Sequence, residues 1–275
     1  MPVRCRPLLG TYVEVTVPDG AEGAADAAFA AMAHVHAAMS FHDAGSDLAR
    51  LRAAAAGDEV TLDPQTVRVL RVAKALFEAT GGLFDVCCGR ALVRAGFLPR
   101  AGIARLTDHP GTTADIAILS DTRVRVHRRV LVDLGGIAKG HAVDLAIEVL
   151  HAAGVAEGLV NAGGDLRAFG PRDWPVALRD ADGEVRFMVP ARDCAIATSA
   201  NLDTRRRHRG ETHSPHIGRA GKSVLAPERV TVVAPTCIIA DALTKVAMAD
   251  PALAARVGRD YHAYILETAQ PGQPT

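Results

Sequence analysis

The chain has 275 residues, 49% of them hydrophobic and 23% charged, with 25 Gly and 15 Pro. Those proportions fit a globular protein and exclude disordered, collagen-like and coiled-coil classes. Lys plus Arg and Asp plus Glu both number 31, so no overall positive field exists to hold a duplex, and no nucleic-acid partner is expected. Mean hydropathy is only +0.12, and no apolar run reaches the ~18 residues that a membrane helix needs, so no membrane insertion is expected.

The first residues, Met-Pro-Val-Arg-Cys-Arg-Pro, lack the apolar stretch of a signal peptide. The five cysteines include no C-x-x-C pair, and Cys87 and Cys88 are adjacent. A reduced, cytoplasmic protein is the expectation. Of the 31 basic residues only Lys74, Lys139, Lys222 and Lys245 are Lys. In so Arg-rich a chain, a Lys suggests a position where a compact point charge is wanted.

Residues 11–17 alternate, with Val13, Val15 and Val17 in phase, which predicts a strand. An Ala-rich stretch over 21–39 carries Phe29, Met32, Val35, His36 and Met39 at helical spacing. Asp63-Pro64 caps a second helix to about Ala79, which Gly81-Gly82 stops. One or two short strands are predicted over 123–133, then a helix from about Lys139 to Ala153. Strands follow at 158–161 and 166–169, and a hairpin at 174–179 and 184–189 over Asp180-Ala181-Asp182-Gly183. Residues 195–198 and 230–234 read as strands, 238–248 as a helix and 261–266 as a last strand, after which Pro and Gly suggest a frayed end. Helices mixed with antiparallel hairpins, without regular βαβ alternation, predict an α+β fold. No linker forces two domains.

The sharpest chemical segment is Asp133-Leu134-Gly135-Gly136-Ile137-Ala138-Lys139-Gly140-His141. A strand end, two glycines and a helix start together form a cradle for an anion or phosphate, with Lys139 adding charge. Neither the G-x-G-x-x-G nor the Walker A spacing is present. A tight turn without ligand is the plain alternative. Asp241, Thr244 and Lys245 stand at i, i+3 and i+4, on one helix face. They read either as a hard-oxygen set for Mg²⁺ or as an Asp241–Lys245 salt bridge. His208, His213 and His216 offer a general base rather than a zinc site. The run Arg205-Arg206-Arg207-His208-Arg209 reads as a solvated loop or as an electrostatic collar for a diphosphate.

In order along the chain, these segments resemble the ApbE family of FAD:protein FMN transferases, from about Leu9 to Ala249. The resemblance rests on Gly10-Thr11, Ser46-Asp47-Leu48-Ala49-Arg50-Leu51, Gly82-Leu83-Phe84-Asp85, the glycine–Lys139 segment, Asn161-Ala162-Gly163-Gly164-Asp165, Ala197-Thr198-Ser199, His216-Ile217 and Ala240-Asp241-Ala242-Leu243. It implies one T-fold-related domain over 1–275, core about 9–266, with antiparallel sheets, packed helices and a ligand cleft between two halves. It implies FAD as substrate, Mg²⁺ on the diphosphate, and FMN transfer to a Thr or Ser hydroxyl of an acceptor flavoprotein with release of AMP. A FAD-binding relative that lacks transfer, or only hydrolyses FAD, is the alternative.

Residue by residue, the resemblance puts a metal on the Ala138 carbonyl, Asp241 and Thr244 or its neighbour Lys245, which occupies a family ligand position. It puts FAD against Leu9, His42, Leu83, Phe84, Asp85, Gly135, His141 and Ile217, with Lys139 in the phosphate cradle and Thr198 in the family's Thr-Ser segment. His216 matches the base for the acceptor hydroxyl, and Asp241 joins it as a catalytic residue. Two departures stand out. His216-Ile217-Gly218-Arg219-Ala220-Gly221 lacks the family's Asp-Pro pair, and Lys245 replaces a usual Thr.

Overall fold

Val13 and Val15 are fully buried, and Val17 nearly so, because alternate side chains of an extended strand point to one face. That strand, β2 (Thr11–Thr16), pairs with β1 (Val3–Leu8), a strand that sequence patterning passed over, since its Arg and Pro residues carry little apolar signal. The computed structural model describes residues 1–179, 184–202, 204–227 and 229–266. After β2 come the helices α1 (Glu22–Met39) and α2 (Asp47–Ala53), then β3 (Glu59–Thr61) and α3 (Pro64–Ala79). Asp63 starts α3 as expected: its carboxylate accepts from Gln65 N at 2.8 Å, ahead of Pro64 at the first helical position.

The short helix α4 (Gly89–Arg94) precedes β4 (Ile116–Ile118) and β5 (Arg123–Val126), and β3, β5 and β4 form a small antiparallel sheet. Helix α5 (Ala138–Ala152) leads into β6 (Gly158–Ala162) and β7 (Asp165–Phe169). The hairpin β8 (Trp174–Arg179) and β9 (Val185–Ala191) forms as expected, its turn at 180–183 lying outside the described residues. Strand β10 (Ala195–Ala200), the hairpin β11 (Arg206–His208) and β12 (Glu211–His213), and β13 (Arg229–Ala234) follow. Helices α6 (Cys237–Ala249) and α7 (Pro251–Asp260) and strand β14 (Tyr264–Leu266) complete the described fold, with 267–275 outside it.

The main sheet has the order β1-β2-β6-β7-β10-β13-β14, every pair antiparallel. This is the α+β, antiparallel architecture that the element pattern predicts. One face carries Val160, Ala162, Phe169, Ala195, Ala197 and Val232 into the main core, against α1, α5 and α6. The other face, with Leu166, Ala168, Ile196 and Val233, is covered by Trp174, Val176 and Leu178 of β8.

Two expectations change, and one helix is added. The strand over 123–133 ends at Val126. Residues 127–133 instead run extended beside loops, with Asp133 N donating to Val86 O (2.8 Å) and Gly89 N to Leu131 O (3.1 Å). Their buried Val130, Leu131 and Val132 imitate a strand because any fully buried extended segment is apolar. The run 205–209, read as a loop, instead enters the β11–β12 hairpin, turned through Arg209 and Gly210, both at positive φ. The stretch 251–260 is helical. Its Asp250-Pro251 start repeats the Asp63-Pro64 signal, and Asp250 Oδ1 accepts from Leu253 N at 3.0 Å.

Helices α5 and α6 touch at their first turns. A Cβ on Gly140 would lie 2.3 Å from Cys237 O and 2.6 Å from its carbonyl carbon, so only glycine allows this approach. Gly140→Ala is therefore expected to destabilise by at least about 2 kcal/mol in urea unfolding. Gly23→Ala is the contrast: it lies exposed in α1 with nothing within 4 Å of its Cβ position. There the change is expected to stabilise by up to about 1 kcal/mol.

Candidate active site

The contact at Gly140 sets the geometry of a charged cluster. Asp241, fully buried on α6, accepts from Gly140 N of α5's first turn at 3.1 Å through Oδ2. Its Oδ1 accepts from Lys245 Nζ at 2.8 Å, one helical turn along. Lys139, the second residue of α5, ion-pairs with Asp165, buried at the start of β7. Two ammoniums and two carboxylates thus meet where α5, α6 and β7 converge.

The charges shape one another. Burial opposes the charge of Lys139, yet Asp165 and Asp241 hold its pKa above the ordinary value. Burial likewise opposes ionised Asp241, but the charges of Lys245 and Lys139 bring its pKa below the usual range. Asp165 stays raised, by burial and then by the Asp241 charge beside it.

Lys245 also donates to Ser199 Oγ (2.7 Å) and Thr244 Oγ1 (2.9 Å). Ser199 follows Ala195 and Ala197 in phase on β10 and so faces α6. It bonds Thr244 Oγ1 at 2.7 Å, and Thr244 donates on to Asp241 O at 2.6 Å.

The cluster forms one wall of a cavity of about 460 Å³. Lys139, Lys245, Ser199, Gly135 and Gly136 lie on that side. Leu83, Phe84, Val86, Leu92, Phe97 and Leu98 supply an apolar side. Asp133 also lines it; burial raises its carboxyl pKa, against a hydrogen bond from Gly135 N. His216 lines it with Nε2 donating to Ala200 O at 3.3 Å, and burial, then the Lys245 charge, push its pKa down to about 4. A second cavity of about 960 Å³ shares Leu83, Asp85, Cys88 and Ile217 with the first. Arg90, Arg94, Arg209, Arg219 and Lys222 line it.

Of the residues singled out from sequence, Leu83, Phe84, Asp85, Gly135, Lys139, Thr198, His216, Ile217 and Lys245 line the first cavity. Asp85 is engaged by the fold as well, accepting from Thr113 Oγ1 at 2.7 Å and Cys87 N at 2.8 Å. Asp241 and Thr244 lie buried behind Lys245. Leu9, His42, Ala138 and His141 do not line the cavity. His42 is exposed, edge-on to Phe41, and Leu9 sits in the β1–β2 turn. No Arg of 205–209 lines the first cavity; Arg206 lies over Phe97, and Arg209 faces the second. Sequence reasoning omitted Ser199, Asp165 and Asp133 from its site, although each sits in a segment it had marked.

His141 is 1% exposed, with Nε2 donating to Gln65 Oε1 at 3.0 Å, and burial lowers its pKa to about 4. His141 and His216 are neutral in the fold above about pH 4, whereas unfolded histidine protonates near its ordinary 6.5. Below 6.5 the unfolded chain therefore binds more protons, so stability falls as pH drops from 6.5 towards 4. Urea midpoints measured across that range should show the decline, and His141→Leu should flatten it.

The chain matches the model of the ApbE family over residues 9–261. It is 32% identical over 190 residues to the FAD:protein FMN transferase of Rhodobacter capsulatus, covering 63% of this chain and 36% of that protein. It is 28% identical over 224 residues to the FAD:protein FMN transferase of Vibrio cholerae, covering 74% of this chain and 66% of that one. The chain thus spans about a third and about two thirds of these curated relatives. The ApbE protein of Thermotoga maritima superposes with a TM-score of 0.83 at 27% identity, over 96% of this chain and 93% of that one. The flavinyl transferase ApbE of Pseudomonas stutzeri, at 22% identity, shares the fold with a TM-score of 0.81, over 96% and 89%. The glycine–Lys139 helix start, the cleft it borders and the match over nearly the whole chain have one common reading: this chain belongs to the ApbE family.

Proposed function

We propose that the chain is a FAD:protein FMN transferase acting as one domain, with the cavity beside Lys139 as its FAD site. One observation carries the reading: a single cavity joins an apolar lining, among it Leu83, Phe84 and Leu98, to two ammoniums, Lys139 at the start of α5 and Lys245 on α6. A flavin ring suits the apolar lining. A diphosphate suits the charged side, where Lys139 and the positive end of α5 lie together.

The step is a phosphoryl transfer. A Thr or Ser hydroxyl oxygen of an acceptor protein bonds to the FMN phosphorus. The phosphorus–oxygen bond to the AMP half breaks, and AMP leaves with the bridging oxygen. The hydroxyl proton passes to His216, which is neutral at pH 7 because of its lowered pKa. With Nε2 donating to Ala200 O, the lone pair available to take the proton is on Nδ1. Lys139 offsets charge on the phosphate oxygens. The basic second cavity, continuous with the first through Asp85 and Ile217, is the side from which the acceptor enters.

The resemblance also implies Mg²⁺ on Asp241, Thr244 and the Ala138 carbonyl. These residues do not fit a metal ion. Asp241 and Thr244 are buried and already bonded to Lys245, and an ammonium beside a dication in a low-dielectric site is repelled strongly. No step above uses a metal. Among the described residues no helix is long and apolar enough to cross a membrane.

Chromatography of protein incubated with FAD and a candidate acceptor should show AMP and a flavin adduct. His216→Ala should slow AMP release by about 10²–10⁴-fold. FAD recovered intact from the wild-type protein, with no AMP, would instead mean a flavin binder without transfer.

A further inference from the structure

We infer that the Lys245 ammonium is the resident cation of the cleft, and that its charge, together with Lys139, attracts a nucleotide diphosphate without a divalent metal ion, while its three protons stay with Asp241, Ser199 and Thr244. This inference rests on the FAD reading for its ligand. The claim about the metal stands on the geometry alone.

The hydrogen bonds around Lys245 close on themselves. An ammonium has three protons, and here they go to Asp241 Oδ1, Ser199 Oγ and Thr244 Oγ1. A threonine hydroxyl has one proton and two lone pairs. That of Thr244 donates to Asp241 O and receives from Lys245 and, with the Ser199 proton directed to it, from Ser199. No lone pair of Thr244 is left for a metal. Asp241 has Oδ2 committed to Gly140 N and Oδ1 to the ammonium. Mg²⁺ takes oxygen ligands in near-ideal octahedral geometry. A carboxylate that already serves an ammonium 2.8 Å away is a poor start for such a site.

The backbone is shaped for the lysine. A Cβ on Gly136 would come within 3.0 Å of Lys245 Cγ, so the glycine leaves room for the aliphatic stem beneath the cradle. Lys245 lines the cavity with 22% of its side chain exposed, while Asp241 and Thr244 stay 0% exposed. A ligand in the cavity therefore meets Lys245 before Asp241 or Thr244. Lys139 lines the same wall and has Asp165 as its own partner. With 27 of 31 basic residues Arg, both cations at this wall are Lys. A compact point charge can replace a metal ion in a narrow space, which a planar guanidinium cannot.

The test reads metal and nucleotide separately. Free Mn²⁺ is followed by electron paramagnetic resonance as protein is added, with no nucleotide present. The wild-type protein should take up no stoichiometric Mn²⁺. Lys245→Thr, which frees Asp241 and Thr244, should bind one Mn²⁺ per chain, and Lys245→Thr with Asp241→Asn should lose it. FAD affinity is then read from flavin fluorescence in EDTA and in excess Mg²⁺. For the wild type the two values should agree within about twofold. For Lys245→Thr, affinity in EDTA should fall at least about tenfold, and Mg²⁺ should restore it. One Mn²⁺ per wild-type chain, abolished by Asp241→Asn, would overturn the inference even if Lys245→Thr did not fold. So would a wild-type FAD affinity that rises more than about tenfold with Mg²⁺. If FAD binds under neither condition, the FAD reading of the cavity fails, and the Mn²⁺ titration still decides whether Lys245 excludes a metal.

Discussion

Helices α5 and α6 cap each other. Neither has a capping side chain at its own start, where Ile137 and Thr236 stand. Asp144 on α5 accepts from Cys237 N (2.9 Å) and Ile238 N (2.8 Å) in the first turn of α6. Asp241 on α6 accepts from Gly140 N in the first turn of α5. Each carboxylate lies buried at the positive end of the other helix, where a negative charge is favoured. The exchange is possible only because Gly140 lets the two backbones meet. Everything in the cleft wall follows from that contact: the position of Asp241, the reach of Lys245 and the entry of Lys139 beside Asp165.

The polar cluster is costly in isolation and stable as a set. Desolvation opposes the ionised forms of Asp165, Asp241 and Lys139. Alternating charge reverses that for Lys139 and Asp241, whereas the Asp165 carboxyl stays above its ordinary range. The same cluster places two ammoniums on a cavity that Leu83, Phe84, Leu92, Phe97 and Leu98 also line. A ligand with a flat ring and a phosphate satisfies both sets, and a purely apolar or purely ionic ligand satisfies one.

The elements with strong local signals were legible. Val13 and Val15 announced a strand by alternation, and Asp63-Pro64 announced a helix by its cap. Strand β1 and the run 127–133, with Val130, Leu131 and Val132 buried, were not, because polar strands and buried apolar runs both break the alternation rule. Cavity-lining residues were legible where glycine punctuates the chain: Gly135, Lys139, Leu83 and Phe84 all line the cavity. His141, which the resemblance puts against FAD, does not line the cavity: its ring lies inside, bonded to Gln65 of α3.

Sequence alone settled the α+β class, the order of most elements and the helix face shared by Asp241, Thr244 and Lys245, because periodicity and caps are local properties. It left the salt bridge, which spacing favours, and the metal site as alternative readings of that face, since both use the same helical spacing. The tertiary structure forms the salt bridge and surrounds it. Ser199 arrives from β10, Gly140 from α5 and the stem room from Gly136, and none of these is near Lys245 in the chain. An ammonium's hydrogen-bond partners are set by packing, and packing exists only once the strands and helices have met.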